Sequence, residues 1–267
     1  MRSAVFLVMI LLAGHLAAQT CEMRMATLLN KEKFSEVIKA GDSCPSIATT
    51  TRLVGMAYYC LFNADSALHY FTLAEKSGLR DDSLLVGLAG VWLWKKNPRK
   101  AAHFLERAQD KSTIAWLGAQ ALVEEAQGRF EEAQEIYDRI LAQRKDAYEV
   151  MVKRGNVLAW QKKFDPSITQ FSQVIADPKA PRRLQMEARL RRAETIAWTK
   201  KIDDAQKSLD TLLTLDPKNS AAFVMRGTFC EWQGDFKKAK AAYQEALNAD
   251  PANKIARLRI EKLLWVK

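Results

Sequence analysis

The chain has 267 residues and a formal net charge of +10, from 41 Lys and Arg against 31 Asp and Glu. The basic residues are spread along the chain and interleaved with acidic ones, whereas a nucleic-acid-binding surface favours a basic stripe with interleaved aromatic residues. Composition therefore argues against nucleic-acid binding, and no nucleic-acid partner is expected.

Residues 1–18 have the pattern of a secretory signal peptide. Arg2 precedes a short apolar run at 4–13, and the small residues Ala17 and Ala18 place the expected cleavage after Ala18. The run is too short to span a bilayer comfortably, so no transmembrane span is expected after cleavage. The sequence has no Asn-x-Ser/Thr acceptor site, which favours a bacterial envelope over a eukaryotic secretory route. We expect an exported protein, periplasmic or secreted, in a Gram-negative bacterium.

Residues 19–45 predict a shortened helical hairpin. Its helices are expected at 21–30 and 34–40, with Cys21 at the start of the first and Cys44 just after the second. In an antiparallel hairpin these two ends lie side by side, so a disulfide between Cys21 and Cys44 is geometrically sensible in an exported protein. Such a bond would hold the terminal unit together.

From residue 48 to residue 253 the sequence repeats with a period of 34. The clearest repeat, Ser220–Asn253, has a small Gly227, a helix-ending Gly234, an aromatic Tyr243 and a helix-breaking Pro251. This pattern predicts two antiparallel helices joined by a short turn. Six such repeats, called repeats 1 to 6, are predicted at 48–81, 82–113, 114–147, 148–181, 186–219 and 220–253, with 182–185 as an insertion.

This unit resembles the tetratricopeptide repeat, a 34-residue helix-turn-helix, at nearly every signature position. The resemblance implies an all-α fold: one elongated, right-handed α-solenoid superhelix of tandem hairpins. Residues 254–267 predict a single capping helix, because a solenoid needs a terminal element that covers its last apolar surface. The apolar positions of this helix are Ile255, Leu258, Leu263 and Val266.

Tryptophan recurs at position 13 of four repeats, counting from the first residue of each: Trp94, Trp160, Trp198 and Trp232. In the tetratricopeptide family this position lies at the end of the first helix, near the concave surface that usually binds partners. The resemblance therefore implies a broken ladder of indole rings along a groove, and tryptophan is common at binding hot spots. Alternatively, the rings pack against the neighbouring repeat as core residues.

The family's other groove positions, 2, 5, 9 and 12, hold a mixture of apolar, neutral and acidic residues. Asn156, Glu194 and Glu231 are the polar binding candidates among them. This mixture departs from the Lys/Asn clamp with which some family members bind a C-terminal carboxylate.

Arginine recurs at position 7 of three repeats, as Arg154, Arg192 and Arg226. The planar guanidinium suits carboxylates, so the three could bind an acidic ligand. Alternatively, each stem covers apolar surface while its head pairs with a nearby glutamate. The candidate glutamates are Glu149, Glu187 and Glu231. The basic stretch at 179–192 is likewise either a solvated helix start or a docking site for an acidic partner.

No catalytic pattern is present: the sequence lacks a glycine-rich phosphate loop, a metalloprotease HExxH and a nucleophile elbow GxSxG. The only histidines after the signal peptide, His69 and His103, are expected about one helix spacing apart, too far to share a metal without other ligands. We expect no enzymatic activity, cofactor or metal, and we expect Cys60 and Cys230 to be free thiols.

The predicted function is a non-catalytic scaffold whose concave groove binds another protein or a peptide segment of the cell envelope. The alternative is an accessory glycan-binding protein in exopolysaccharide assembly or export. It rests on short Trp-containing sequence motifs in residues 148–253. These motifs are similar to the repeat regions that precede outer-membrane barrels in some bacterial exopolysaccharide-export proteins.

Overall fold

The computed structural model of this protein describes residues 19–44 and 47–263. The predicted signal peptide, 1–18, and the end of the predicted capping helix, 264–267, lie outside the described residues. Within the described ranges the regular structure is helical and contains no strand, which confirms the prediction of an all-α repeat fold. None of these helices has both the length and the apolar character that crossing a membrane would require.

The chain divides into two compact units, one up to Arg129 and the other from Phe130 onward. The helices of unit 1 are α1 (19–30), α2 (Phe34–Ser43), α3 (Ala48–Cys60), α4 (Ala64–Lys76), α5 (Asp82–Trp94), α6 (Pro98–Glu106) and α7 (Ile114–Ala126). The helices of unit 2 are α8 (Phe130–Gln143), α9 (Tyr148–Trp160), α10 (Phe164–Ala176), α11 (Arg182–Trp198), α12 (Ile202–Leu215), α13 (Ser220–Trp232), α14 (Phe236–Ala249) and α15 (Lys254–Leu263). In both units each helix packs on the next, and the first helices of successive hairpins also contact one another.

Polar side chains at the predicted boundaries start many of these helices. Each accepts a hydrogen bond from a backbone N–H three residues later, which would otherwise lack a partner in the first helical turn. The capping residues are Asn63, Asp81, Asn97, Thr113, Asn219 and Asp235. The sequence therefore determines where these hairpins begin and turn.

The turn inside every repeat has a residue with positive φ at position 15. Only Gly128 and Gly234 adopt this backbone conformation without steric cost. The other four residues have φ between 56° and 66°: Phe62, Lys96, Lys162 and Lys200. The packing of the two helices thus imposes the same turn geometry whether or not glycine is present.

The hairpin core is built from a close approach between positions 8 and 24. In repeat 4, a Cβ atom added to Gly155 would lie 2.5 Å from the ring of Phe171, and in repeat 6 one added to Gly227 would lie 2.6 Å from the ring of Tyr243. Both rings are fully buried. In these two repeats glycine at position 8 therefore makes room for the aromatic ring at position 24.

The insertion at 182–185 lengthens a first helix: α11 has 17 residues, whereas the other first helices have 13. In α15 the fully buried residue is Ala256, while Ile255 and Leu258, two of the apolar positions named from the sequence, are more than half exposed. The reason is the repeat register: Ala256 is at position 3, as are the buried Ala188 and Ala222.

A disulfide joins the start of α1 to the residue after α2. The sulfurs of Cys21 and Cys44 are 2.16 Å apart and their Cα atoms 5.9 Å apart. The bond closes the first hairpin beside a small core that contains Met25, Val37 and Val54.

Candidate binding surfaces

Each tryptophan at position 13 is the last residue of a first helix: α5, α9, α11 or α13. The exposed fractions are 36% for Trp94, 43% for Trp160 and 49% for Trp232, and Trp198 is partly buried. None of the four rings is sealed in the core. Each therefore has a packed part and an accessible part, and its role in binding stays a prediction.

In unit 1, Trp94 belongs to a stack of three aromatic rings. Its ring lies parallel to that of Tyr59, with centroids 4.1 Å apart, and 5.5 Å from that of Phe62. Gly90 allows this approach, because a Cβ there would lie 2.6 Å from the Tyr59 hydroxyl. Phe62 is 82% exposed, so the stack presents an apolar aromatic surface to solvent.

In unit 2, positions 2, 5, 9 and 13 of the first helices fall within one sector of about 80°, because a helix turns about 100° per residue. We call the surface formed by these positions of α9, α11 and α13 the groove face. It contains Trp160, Trp198 and Trp232 at one end of the helices. Position 2, eleven residues earlier, lies about 16 Å away along the helix axis.

An open cavity of about 550 Å³ lies at that other end, between α11 and α13. Its apolar walls are formed by Leu190, Met186 and Ala221. Its lining also includes the charged residues Glu187 and Arg183. Arg183 donates to Glu149 at 2.6 Å and lies 3.7 Å from Glu187. The groove face thus joins a cavity with apolar walls and charged residues to partly exposed indole rings.

The polar candidates are held by neighbouring side chains to different degrees. Glu231 accepts from the Tyr243 hydroxyl at 2.9 Å and from Arg259 at 3.0 Å, which gives it a structural role at the junction with α15. Burial, with a contribution from Glu231, raises the pKa of Tyr243 to about 12. Glu194 lies 3.1 Å from Arg191, and Asn156 is partly buried one turn before Trp160. Their part in binding stays a prediction.

The arginines at position 7 do not pair with Glu149, Glu187 or Glu231, so that expectation was wrong. Arg154 donates to Asp138 at 2.5 Å, Arg226 donates to Asp210, and Arg192 donates to the Ser172 hydroxyl at 3.2 Å. All three partners occupy position 25 of the preceding repeat. Position 7 lies about 140° around the helix from position 2, so these arginines point toward the second helix of the preceding hairpin and away from the groove face.

Sequence reasoning missed two features. The first is the exposure of Phe62. It depends on a turn with positive φ at Phe62 itself, and no glycine signals this turn in the sequence. The aspartates at position 25 could have been found by aligning the second helices of the repeats, where Asp138 and Asp210 coincide.

The described residues contain no group of three or more His, Cys, Asp or Glu side chains arranged to hold a metal ion. Cys60 and Cys230 are free, and burial raises the pKa of both thiols.

Several solved structures share this fold at low sequence identity. A tetratricopeptide repeat protein from Parabacteroides merdae matches with a TM-score of 0.71 and 13% identity over 93% of this chain and 99% of its own. The Cut9–Hcn1 hetero-tetramer of the APC/C matches with a TM-score of 0.68 and 15% identity over 91% of this chain, which spans about half (48%) of the Cut9–Hcn1 chain. PilW, described as a widely conserved type IV pilus biogenesis factor, matches with a TM-score of 0.56 and 19% identity over 68% of this chain and 86% of its own. At these identities the likeness shows the fold alone.

A search of curated protein sequences finds no significant match. The sequence model of the tetratricopeptide repeat-like domain matches residues 84–265, about two thirds of the chain, and covers most of the repeats described above. Together with the hairpin geometry, this match shows that the chain belongs to the tetratricopeptide repeat-like family.

Proposed function

We propose that this protein is an exported, non-catalytic scaffold that binds an extended segment of another cell-envelope protein on the groove face of unit 2. The observation that carries the proposal is the groove face itself. It places a cavity with apolar walls and charged residues at one end of α11 and α13 and partly exposed Trp198 and Trp232 at the other. A span of about 16 Å fits about five residues of extended chain, at about 3.3 Å per residue.

The groove face offers both affinity and orientation. Covering about 100 Å² of the exposed part of one indole would contribute about 2.5 kcal/mol, before the costs of association. Arg183 and Glu187 beside the cavity would favour one direction and register of the bound segment, since charge complementarity contributes mainly to specificity.

The envelope location is supported by the signal-peptide pattern and by the Cys21–Cys44 bond, because disulfides persist in oxidising compartments. The structural likeness to PilW, described as a pilus biogenesis factor, is consistent with a role in an envelope assembly.

Site-specific photo-crosslinking in the native host tests the proposal. A photoreactive amino acid at Ala221, in the cavity, is expected to capture one envelope protein, and Trp198→Ala should weaken that capture. The matched control carries the same group at Lys240, an exposed position on the second helix α14. Equal adducts from both positions, or no adduct at Ala221, would contradict binding on the groove face.

The glycan-binding alternative draws on one observation, the exposed aromatic stack of Phe62, Tyr59 and Trp94 in unit 1. Titration with neutral and acidic oligosaccharides, followed by tryptophan fluorescence, distinguishes the two functions. A saturable change that is lost in Trp94→Ala would support glycan binding. No change at millimolar sugar would favour the protein partner.

A further inference from the structure

We propose that Arg189 and Arg192 of α11 form a binding site for a carboxylate ligand, at a place where the neighbouring repeats supply their own carboxylate. The site lies away from the groove face and goes beyond the proposed function. Only the idea that the carboxylate comes from a bound peptide rests on that function.

The first observation is a missing aspartate. Arg154 and Arg226 each bond to an aspartate at position 25 of the preceding repeat, Asp138 and Asp210. At the same place beside Arg192 stands Ser172, whose hydroxyl supplies an acceptor without a negative charge. Arg192 therefore occupies the same position in its repeat as its two counterparts but lacks their charge partner.

The second observation is an additional positive charge. Position 4 holds Met151 in repeat 4 and Phe223 in repeat 6, and the Arg226 guanidinium lies 5.9 Å from the centroid of the Phe223 ring. In repeat 5 this position is Arg189, one helical turn from Arg192. Like charges at this spacing repel each other. Burial and, to a smaller extent, Arg189 lower the pKa of Arg192.

The third observation is unused hydrogen-bonding capacity. Within residues 19–44 and 47–263, neither Arg189 nor Arg192 forms an ion pair with a carboxylate within 4 Å. The Nε atoms of both side chains are buried and have no acceptor there. A buried donor without a partner costs free energy, and the cost is larger when the group is charged. An anion beside the two guanidinium groups would relieve both the repulsion and the missing bonds.

The neighbouring repeats indicate the chemistry of the ligand. Position 25 of the preceding repeat holds an aspartate carboxylate beside both Arg154 and Arg226. The distance from Arg154 Nε to Asp138 Oδ1 is 2.5 Å. Two guanidinium groups suit the two oxygens of a carboxylate, and such charge-assisted bonds are the stronger ones. The ligand is therefore an Asp or Glu side chain of a bound peptide or a small free carboxylic acid.

Binding of fluorescent hexaglutamate to the mature chain tests the site, with hexaglutamine as the uncharged control. The wild type should bind hexaglutamate, and Arg192→Gln should bind it about tenfold more weakly or worse. Ser172→Asp should abolish binding and raise the midpoint of thermal unfolding, because it supplies the missing charge. Arg226→Gln is the matched control, since Arg226 already has Asp210, and should bind like the wild type.

Competition distinguishes the sources of the carboxylate. If glutarate displaces the peptide at equal carboxylate concentration and constant ionic strength, the ligand is a small free acid; if it does not, the ligand is a peptide side chain. Stronger displacement by inorganic phosphate than by glutarate would overturn the carboxylate assignment. Wild-type affinity in Arg192→Gln, or no binding by the wild type, would overturn the site. None of these results depends on capture at Ala221, so the site and the proposed function can fail independently.

Discussion

Replacing Lys200 by glycine should stabilise the protein. Lys200 occupies position 15 of repeat 5 with φ at 66°, and its exposed side chain forms no hydrogen bond or ion pair within the described residues. A non-glycine residue in this left-handed conformation costs about 1–2 kcal/mol. Glycine removes that cost but loses about 0.5–1 kcal/mol through the greater freedom of the unfolded chain. The expected net gain in the free energy of unfolding is between about 0 and 1.5 kcal/mol, with a central value of about 0.75 kcal/mol.

The matched control is Lys240→Gly. Lys240 is also an exposed lysine without a side-chain partner in the described residues, but it lies inside α14 with ordinary helical geometry. Both substitutions remove one positive charge, so the electrostatic change is comparable. Glycine inside a helix costs up to about 1 kcal/mol, so the two variants should differ by about 1.5 kcal/mol.

Urea unfolding followed by circular dichroism measures this difference, provided that the slope of free energy against denaturant is the same in both variants. Lys200→Gly should raise the urea midpoint and Lys240→Gly should lower it. If Lys200→Gly destabilises the protein as much as Lys240→Gly does, the reasoning about a shared left-handed turn is refuted.

Three further predictions concern the core and its titrating groups. Gly155→Ala should lower the free energy of unfolding by about 1–3 kcal/mol, because it presses a methyl group against the Phe171 ring. Adding Phe171→Leu should recover part of that loss, as measured by thermal unfolding. Equal stability of the single and double variants would contradict this packing. The free energy of unfolding should fall as pH rises from about 10 toward about 12. The reason is that the unfolded chain releases the Tyr243 proton near pH 10, while the folded protein holds it to about pH 12. Tyr243→Phe should show a smaller loss of stability between pH 9 and pH 11, and an unchanged loss would count against the raised pKa. Iodoacetamide should alkylate Cys60 and Cys230 more slowly at pH 7.5 in the folded protein than in urea, since raised pKa values reduce the thiolate fraction; equal rates would show that neither thiol is protected.

The rescue proposed for Gly155→Ala follows from comparing repeats within this one chain. Gly155 and Gly227 face the aromatic rings of Phe171 and Tyr243. In repeat 5 the same positions hold Ala193 and Leu209, both fully buried. In repeats 4, 5 and 6 the combined volume of positions 8 and 24 is therefore nearly constant, as close packing favours, whereas repeat 3 combines Ala121 with the fully buried Tyr137.

The boundaries of the hairpins could be predicted because their signals act within a few residues. Asn63, Asn97 and Asp235 cap helices through bonds that span three residues. The burial of α15 could not be predicted in the same way, because both faces of this short helix carry apolar residues. Contact with the preceding hairpin selects Ala256, Ile260 and Leu263 for packing.

The ion pairs of the arginines at position 7 show a similar limit of prediction from sequence. The recurrence of arginine at this position was visible in the sequence, but nearby glutamates on the same helices were the wrong partners. The partners are Asp138 and Asp210, 16 residues earlier in the chain, on helices that stacking brings alongside. Short-range spacing does not reveal which helix a long side chain meets.

The sequence by itself determined the helical period, the start and turn of most hairpins and the family, because these depend on local backbone preferences and on residue size repeated every 34 positions. The tertiary structure decided which residues face solvent and which charges pair. It left Trp160 and Trp232 partly exposed and placed Ser172, without a negative charge, beside Arg192. Exposure and ion pairing depend on the atoms that a neighbouring hairpin brings within a few ångströms, and only the packed chain fixes those distances.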